Sequence, residues 1–103
     1  MINPKLKLSR DDIAMFCRRR KVKRLSLFGS ATRDDFRPDS DVDVLVEFEA
    51  NSHVSLLDLV DMQDELSKLF GNRPVDVATA SILRNPFRRR TIMRDLEPVY
   101  GGE

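Results

Sequence analysis

Residues 25–48 read LSLFGSATRDDFRPDSDVDVLVEF. Leu25 and Leu27 alternate with Ser26 up to Gly29-Ser30, and after ten further residues Asp41-Val42-Asp43 opens the apolar run Val44-Leu45-Val46. The pattern predicts a strand over 22–28, a tight turn at Gly29-Ser30, a short helix starting within 31–36, and a second strand over 41–48. Asp is disfavoured in strands, so two of them at the head of an apolar strand need a reason. Residues i and i+2 of a strand project to the same face, with Cα atoms roughly 6.6 Å apart at ~3.3 Å per residue. Two carboxylates at ~4 Å repel by roughly 4 kcal/mol at an effective dielectric near 20. Hard divalent ions such as Mg²⁺ take oxygen ligands, relieve that repulsion and share their coordination with phosphates. A two-metal centre would use such carboxylates as bridges.

A third carboxylate follows in Val75-Asp76-Val77. Strand alternation sends the two valines to the core and Asp76 to the opposite side, where Asp41 and Asp43 can meet it. Asp76 would then complete a metal site and help deprotonate an attacking hydroxyl. At the other end, Gly29 lets the backbone turn sharply and approach a ligand closely. Ser30 supplies a hydroxyl, and a helix starting there would draw phosphate to its N-terminus. No Gly-Lys-Ser/Thr follows, so this is not a Walker A loop. The positive charge falls to metal, aided by Arg33 or Arg37. Gly29, Ser30, Arg33 and Ser40 form the candidate nucleotide-binding set, and Asp41, Asp43 and Asp76 the catalytic and metal-ligating set.

With Gly-Ser, ten residues, Asp-x-Asp and a later Asp, the chain resembles the DNA polymerase β-like nucleotidyltransferase superfamily. The flanking pattern, from about 22 to 100, is similar to the minimal nucleotidyltransferases that form the antitoxin half of HEPN/MNT toxin–antitoxin pairs. One departure is the Arg33-Asp34-Asp35 run, where many relatives carry a further small residue. The resemblance implies a polymerase β-like core and a Mg²⁺-dependent enzyme, with two ions, that uses ATP. It implies transfer of AMP to a tyrosine of a cognate HEPN ribonuclease toxin, which is thereby neutralised. The alternatives are a catalytically silent antitoxin that acts by binding alone, or transfer to a small molecule with the missing substrate domain supplied by a partner.

The whole chain sets the frame. Its 103 residues, 41% apolar and 34% charged with net charge +1, are expected to form one domain, 1–103, with a modest core. Near-neutral charge gives no general pull toward nucleic acid or membrane. No apolar run approaches the ~20 residues of a membrane span and no secretory signal is visible. The single Cys17 leaves no internal disulfide and suits a reducing cytoplasm. The predicted order is helix, strand, strand, helix, strand, helix: an α/β (α+β) fold whose small mixed sheet has helices on one face. Ser9, Ser55 and Asn85 are the expected N-caps. The helix over 56–70 is expected to bury Leu56, Leu59, Val60, Leu66 and Phe70, and the last helix Phe87, Ile92, Met93 and Leu96. Arg18 to Lys21 and Arg88 to Arg90 read first as solvated helix faces, with a partner-binding or nucleotide-facing role second. His53 is expected in an exposed loop, and Cys17 as a small buried hydrophobe.

Overall fold

The structure is a computed structural model that describes residues 2, 4, 6, 8–33, 37 and 40–101. Helix α1 (Arg10–Arg19) starts at Ser9, whose side chain accepts from the Asp12 N–H, with Asp11 and Asp12 in its first turn, where acidic groups complement the helix dipole. Strand β1 (Val22–Phe28) runs into a 3-10 turn at Gly29–Thr32. Strand β2 (Val42–Phe48) follows, then α2 (Leu56–Leu69), β3 (Val75–Thr79), a second 3-10 turn (Ala80–Arg84), α3 (Pro86–Asp95) and β4 (Glu97–Tyr100). Residues 34–36, part of the expected short helix, lie outside the described residues; the part that is described is the 3-10 turn. None of the helices among the described residues is long and apolar enough to cross a membrane.

The four strands form one mixed sheet in the order β3-β2-β1-β4. β1 is antiparallel to β2 and β4, and β2 is parallel to β3. Alternation sorts the side chains. Leu25 and Leu27 of β1 and Val42, Val44 and Val46 of β2 join Ile13, Phe16, Met62, Leu66 and Phe70 in the main core under α1 and α2. The opposite face carries Phe28 and Leu45, covered by Ile92 of α3. Helices on one face therefore describes α1 and α2, while α3 adds partial cover on the other. Glu65 of α2 takes both Arg19 and Arg20, so half of the first basic run ties α1 to α2. Cys17 is fully buried, and burial pushes its thiol up to about 12, which leaves it protonated and unreactive.

Three expectations change. Strand β4 replaces the end expected after the last helix; it pairs along the outer edge of β1, where Pro98 is tolerated because one side of an edge strand makes no ladder. On α2 the inward stripe is Leu59, Met62, Leu66 and Leu69, continued by Phe70, whereas Leu56 and Val60 are exposed. Val60 lies two residues before Met62, roughly 200° round the helix at ~100° per residue, so both cannot face the sheet. On α3, Phe87 and Met93 are exposed and only Ile92 is buried. The capping box of Ser55 and Asp58, and the Asn85 cap ahead of Pro86, form as expected.

Candidate active site

The parallel register of β2 and β3 sets Asp43 directly opposite Asp76. Their neighbours Val42, Val44, Val75 and Val77 turn to the main core, so both carboxylates face the other side of the sheet, under α3. Asp43 is half-buried and Asp76 exposed; Asp41, also exposed, precedes β2 by one residue. Two adjoining hollows meet at Phe28, Asp43 and Arg88. One, of about 380 Å³, extends over Asp76, Thr79, Ser81 and Ile82. The other, of about 250 Å³, extends over Gly29, Arg33, Thr91 and Asp95.

The Asp43 carboxyl is pushed above its ordinary value, first by burial, then by the negative charges of Asp76 and Asp41, with Arg33 and Arg88 pulling in the opposite direction. The charges of Asp76 and Asp41 thus both act on the Asp43 carboxyl. They are not drawn into a closed cage: among the described residues no three Asp, Glu, His or Cys side chains are gathered at metal-binding distance. The donor set nevertheless suits a hard divalent cation, being all oxygen, with one member held in a hollow beside two like charges.

Gly29 has φ +73°, the left-handed region. A Cβ placed there would overlap the Asp43 Oδ2 atom and stand 3.4 Å from its Cγ. The absent side chain is therefore room for the carboxylate as well as freedom for the turn. The turn is closed by Thr32 Oγ1, which donates to the Gly29 carbonyl at 2.9 Å, and by the Arg33 N–H, which donates to the Ser30 carbonyl at 3.0 Å.

Of the sequence-derived residues, the structure brings together Gly29, Arg33, Asp43 and Asp76 around the two hollows. Ser30 sits inside the turn. Ser40 shapes the approach to Asp41: its Oγ accepts from the Arg37 N–H at 2.9 Å and its own N–H donates to the Arg37 carbonyl at 3.0 Å. Neither serine lines the hollows. The Arg33 guanidinium donates to Asp95 Oδ2 at 2.8 Å, an ion pair that fastens α3 to the glycine turn. The residues that sequence reading passed over are Phe28, Thr91 and Asp95, while Arg88, read first as part of a solvated helix face and second as nucleotide-facing, lines both hollows. Their signal was the spacing Arg88, Thr91/Ile92, Asp95, one face of α3.

A small mixed sheet carrying Gly-Ser at the end of one strand and facing carboxylates on the next two defines a nucleotidyltransferase. The model of the nucleotidyltransferase domain family matches residues 11–98, and the chain belongs to that family. A protein of Methanocaldococcus jannaschii, provisionally named a protein adenylyltransferase, is 36% identical over 76 residues, which cover 74% of this chain and 75% of the relative. A solved structure described provisionally as a minimal nucleotidyltransferase is 34% identical, with TM-score 0.67 over 86% of this chain and 87% of that one. The fold also matches, at TM-score 0.61 and 17% identity over 89% of this chain and 69% of that one, a complex of a tri-AMPylated Shewanella oneidensis HEPN toxin with its MNT antitoxin.

Proposed function

We propose that this nucleotidyltransferase moves AMP from ATP to a tyrosine of a HEPN-type ribonuclease toxin and so acts as its antitoxin. The observation that carries the reading is the placement of Asp43 opposite Asp76 on the open face of the sheet, one strand from the Gly29 turn. The similarity to a relative named for protein adenylylation and the shared fold of an antitoxin in complex with an AMPylated HEPN toxin support the choice of group and acceptor.

Asp41, Asp43 and Asp76 would hold Mg²⁺, two ions in all, whose chemistry is to neutralise the polyphosphate and the leaving pyrophosphate. The Gly29-Ser30 turn, whose Gly29 lines one of the hollows, takes the outer phosphates with backbone N–H groups. The acceptor oxygen attacks the α-phosphorus in line, forming the new P–O bond. The bond from that phosphorus to the β-phosphate bridging oxygen breaks, and pyrophosphate leaves with its electron pair. Asp76, the more exposed carboxylate of the facing pair, receives the acceptor's proton. Most of the rate enhancement comes from positioning and from charge stabilisation on the transferring group.

Asp76→Asn is expected to lower the single-turnover rate by about a hundredfold or more, while ATP affinity changes by only a few-fold. Rapid-quench measurement of the transfer step beside an ATP titration checks the split. Collapsed binding with normal residual chemistry would make Asp76 a nucleotide-side ligand instead.

The reading as a whole is tested by incubating the chain, ATP and Mg²⁺ with a HEPN-type toxin, the first choice being any HEPN protein found in an adjacent reading frame. Intact-mass and peptide spectrometry should show AMP on a toxin tyrosine, and RNA cleavage by the toxin should fall in parallel. A toxin that is fully neutralised yet unmodified would replace this reading with inhibition by binding alone.

A further inference from the structure

Arg88 stands where the two hollows of the active face meet. It lines the hollow of Asp76, Thr79 and Ser81 and also that of Gly29 and Arg33, with Asp43 common to both. Its guanidinium has no hydrogen-bond or ion-pair partner among the described residues, and its residue is exposed. The helix that carries it is fixed at that position. Ile92, one turn on, is buried against Phe28 and Leu45. Asp95, two turns on, is held by Arg33 at 2.8 Å, with its side chain only 10% exposed. Arg88, Ile92 and Asp95 share one face at i, i+4 and i+7. A planar cation with five donors, no acceptor among the described residues and an anchored helix behind it is built for phosphate oxygens, which it can grip bidentately.

We propose that Arg88 is a phosphate-binding residue of this site, taking the donor nucleotide's phosphate chain where it crosses from the glycine turn to the facing carboxylates. The inference rests on the nucleotide reading given above and adds a residue to it. Arg33 is the less suitable cation because Asp95 already engages it, and its work is to hold α3 so that Arg88 is aimed inward. As the bond to the β-phosphate breaks, negative charge grows on the departing pyrophosphate. A fixed guanidinium at the junction stabilises that charge with no rearrangement. Arg89 and Arg90 come next in sequence, turn away from that face and line neither hollow, so they serve as controls.

The experiment is calorimetric titration of the full chain with ATP and, separately, with pyrophosphate, both with Mg²⁺, for wild type, Arg88→Ala, Arg88→Lys, Arg89→Ala and Arg90→Ala. Thermal unfolding of each checks that it folds. Arg88→Ala should bind both ligands about tenfold more weakly, the scale of one charged hydrogen-bonding contact. Arg88→Lys should recover part of the loss, and the Arg89 and Arg90 variants should bind within about twofold of wild type. Wild-type binding that persists unchanged in Arg88→Ala overturns the assignment of Arg88 alone. An equal loss in the Arg89 and Arg90 variants also overturns it, in favour of a diffuse field from the basic run. A wild-type chain that binds neither ligand overturns the nucleotide reading beneath it.

Discussion

Changing Asp41 and Asp43 together to Asn is expected to lower nucleotide transfer by roughly a thousandfold or more, since charge-stabilising groups aimed at the reacting centre carry the largest single share of catalysis. The same change should leave the fold intact. Asp43 projects away from the main core, and Asn keeps its shape while removing charge. The metal-free double variant should in fact melt higher than wild type at neutral pH. Burial and the charges of Asp76 and Asp41 raise the Asp43 carboxyl above its ordinary value, so the folded state binds that proton more tightly than the unfolded chain does. The contribution to stability is then fully present below the ordinary carboxylate range and is lost as pH rises through the raised value. Wild type should gain stability from Asp43 on mild acidification, and the variant should show less of that gain. Thermal melts with chelator across pH 4–8, beside transfer of labelled nucleotide with Mg²⁺, check both halves. Undiminished transfer by the double variant would refute the assignment of the pair.

How far the sequence carried this site depended on what each signal was made of. Strand alternation in 25–28 and 42–46 is dictated by a core that must be filled, so the faces of β1 and β2, and the shared side of Asp43 and Asp76, could be read directly. The capping residues Ser9, Ser55 and Asn85 were legible because each answers a local backbone need. Helix α3 was not. Its inward face is Arg88, Thr91, Ile92 and Asp95, three of them polar, because that face borders the hollows and not the core. A search for apolar residues at helical spacing therefore chose Phe87 and Met93, which are exposed. Strand β4 was hidden by its four residues and by Pro98, which in a central strand would break the ladder and on this edge does not. The coupling of Arg33 to Asp95 spans 62 positions in sequence, and no local pattern announces such a pair.

Gly29→Ala is expected to lower transfer by about a hundredfold and to cost about 1–3 kcal/mol of stability, by two separable routes. The first is backbone strain. At φ +73° an alanine would be forced into the left-handed region, which disfavours any residue with a Cβ. The second is displacement. The added Cβ would occupy the place of the Asp43 carboxylate oxygen, and Asp43 on β2 can yield only by turning its side chain, since its backbone pairs with Phe28 on one side and Asp76 on the other. Turning it moves the carboxylate at the junction of the two hollows, and a shift of ~1 Å in a positioning group is enough for a hundredfold loss. Gly71→Ala separates the routes. Gly71 also has a positive φ, +78°, but it follows α2 and lines neither hollow. It should lose comparable stability and keep the activity of each folded molecule. Urea unfolding gives the stability of both variants, and transfer rates normalised to the folded fraction give the activity. If Gly29→Ala lost no more activity per folded molecule than Gly71→Ala, the close approach of Gly29 to Asp43 would be a feature of the turn alone, without consequence for the chemistry.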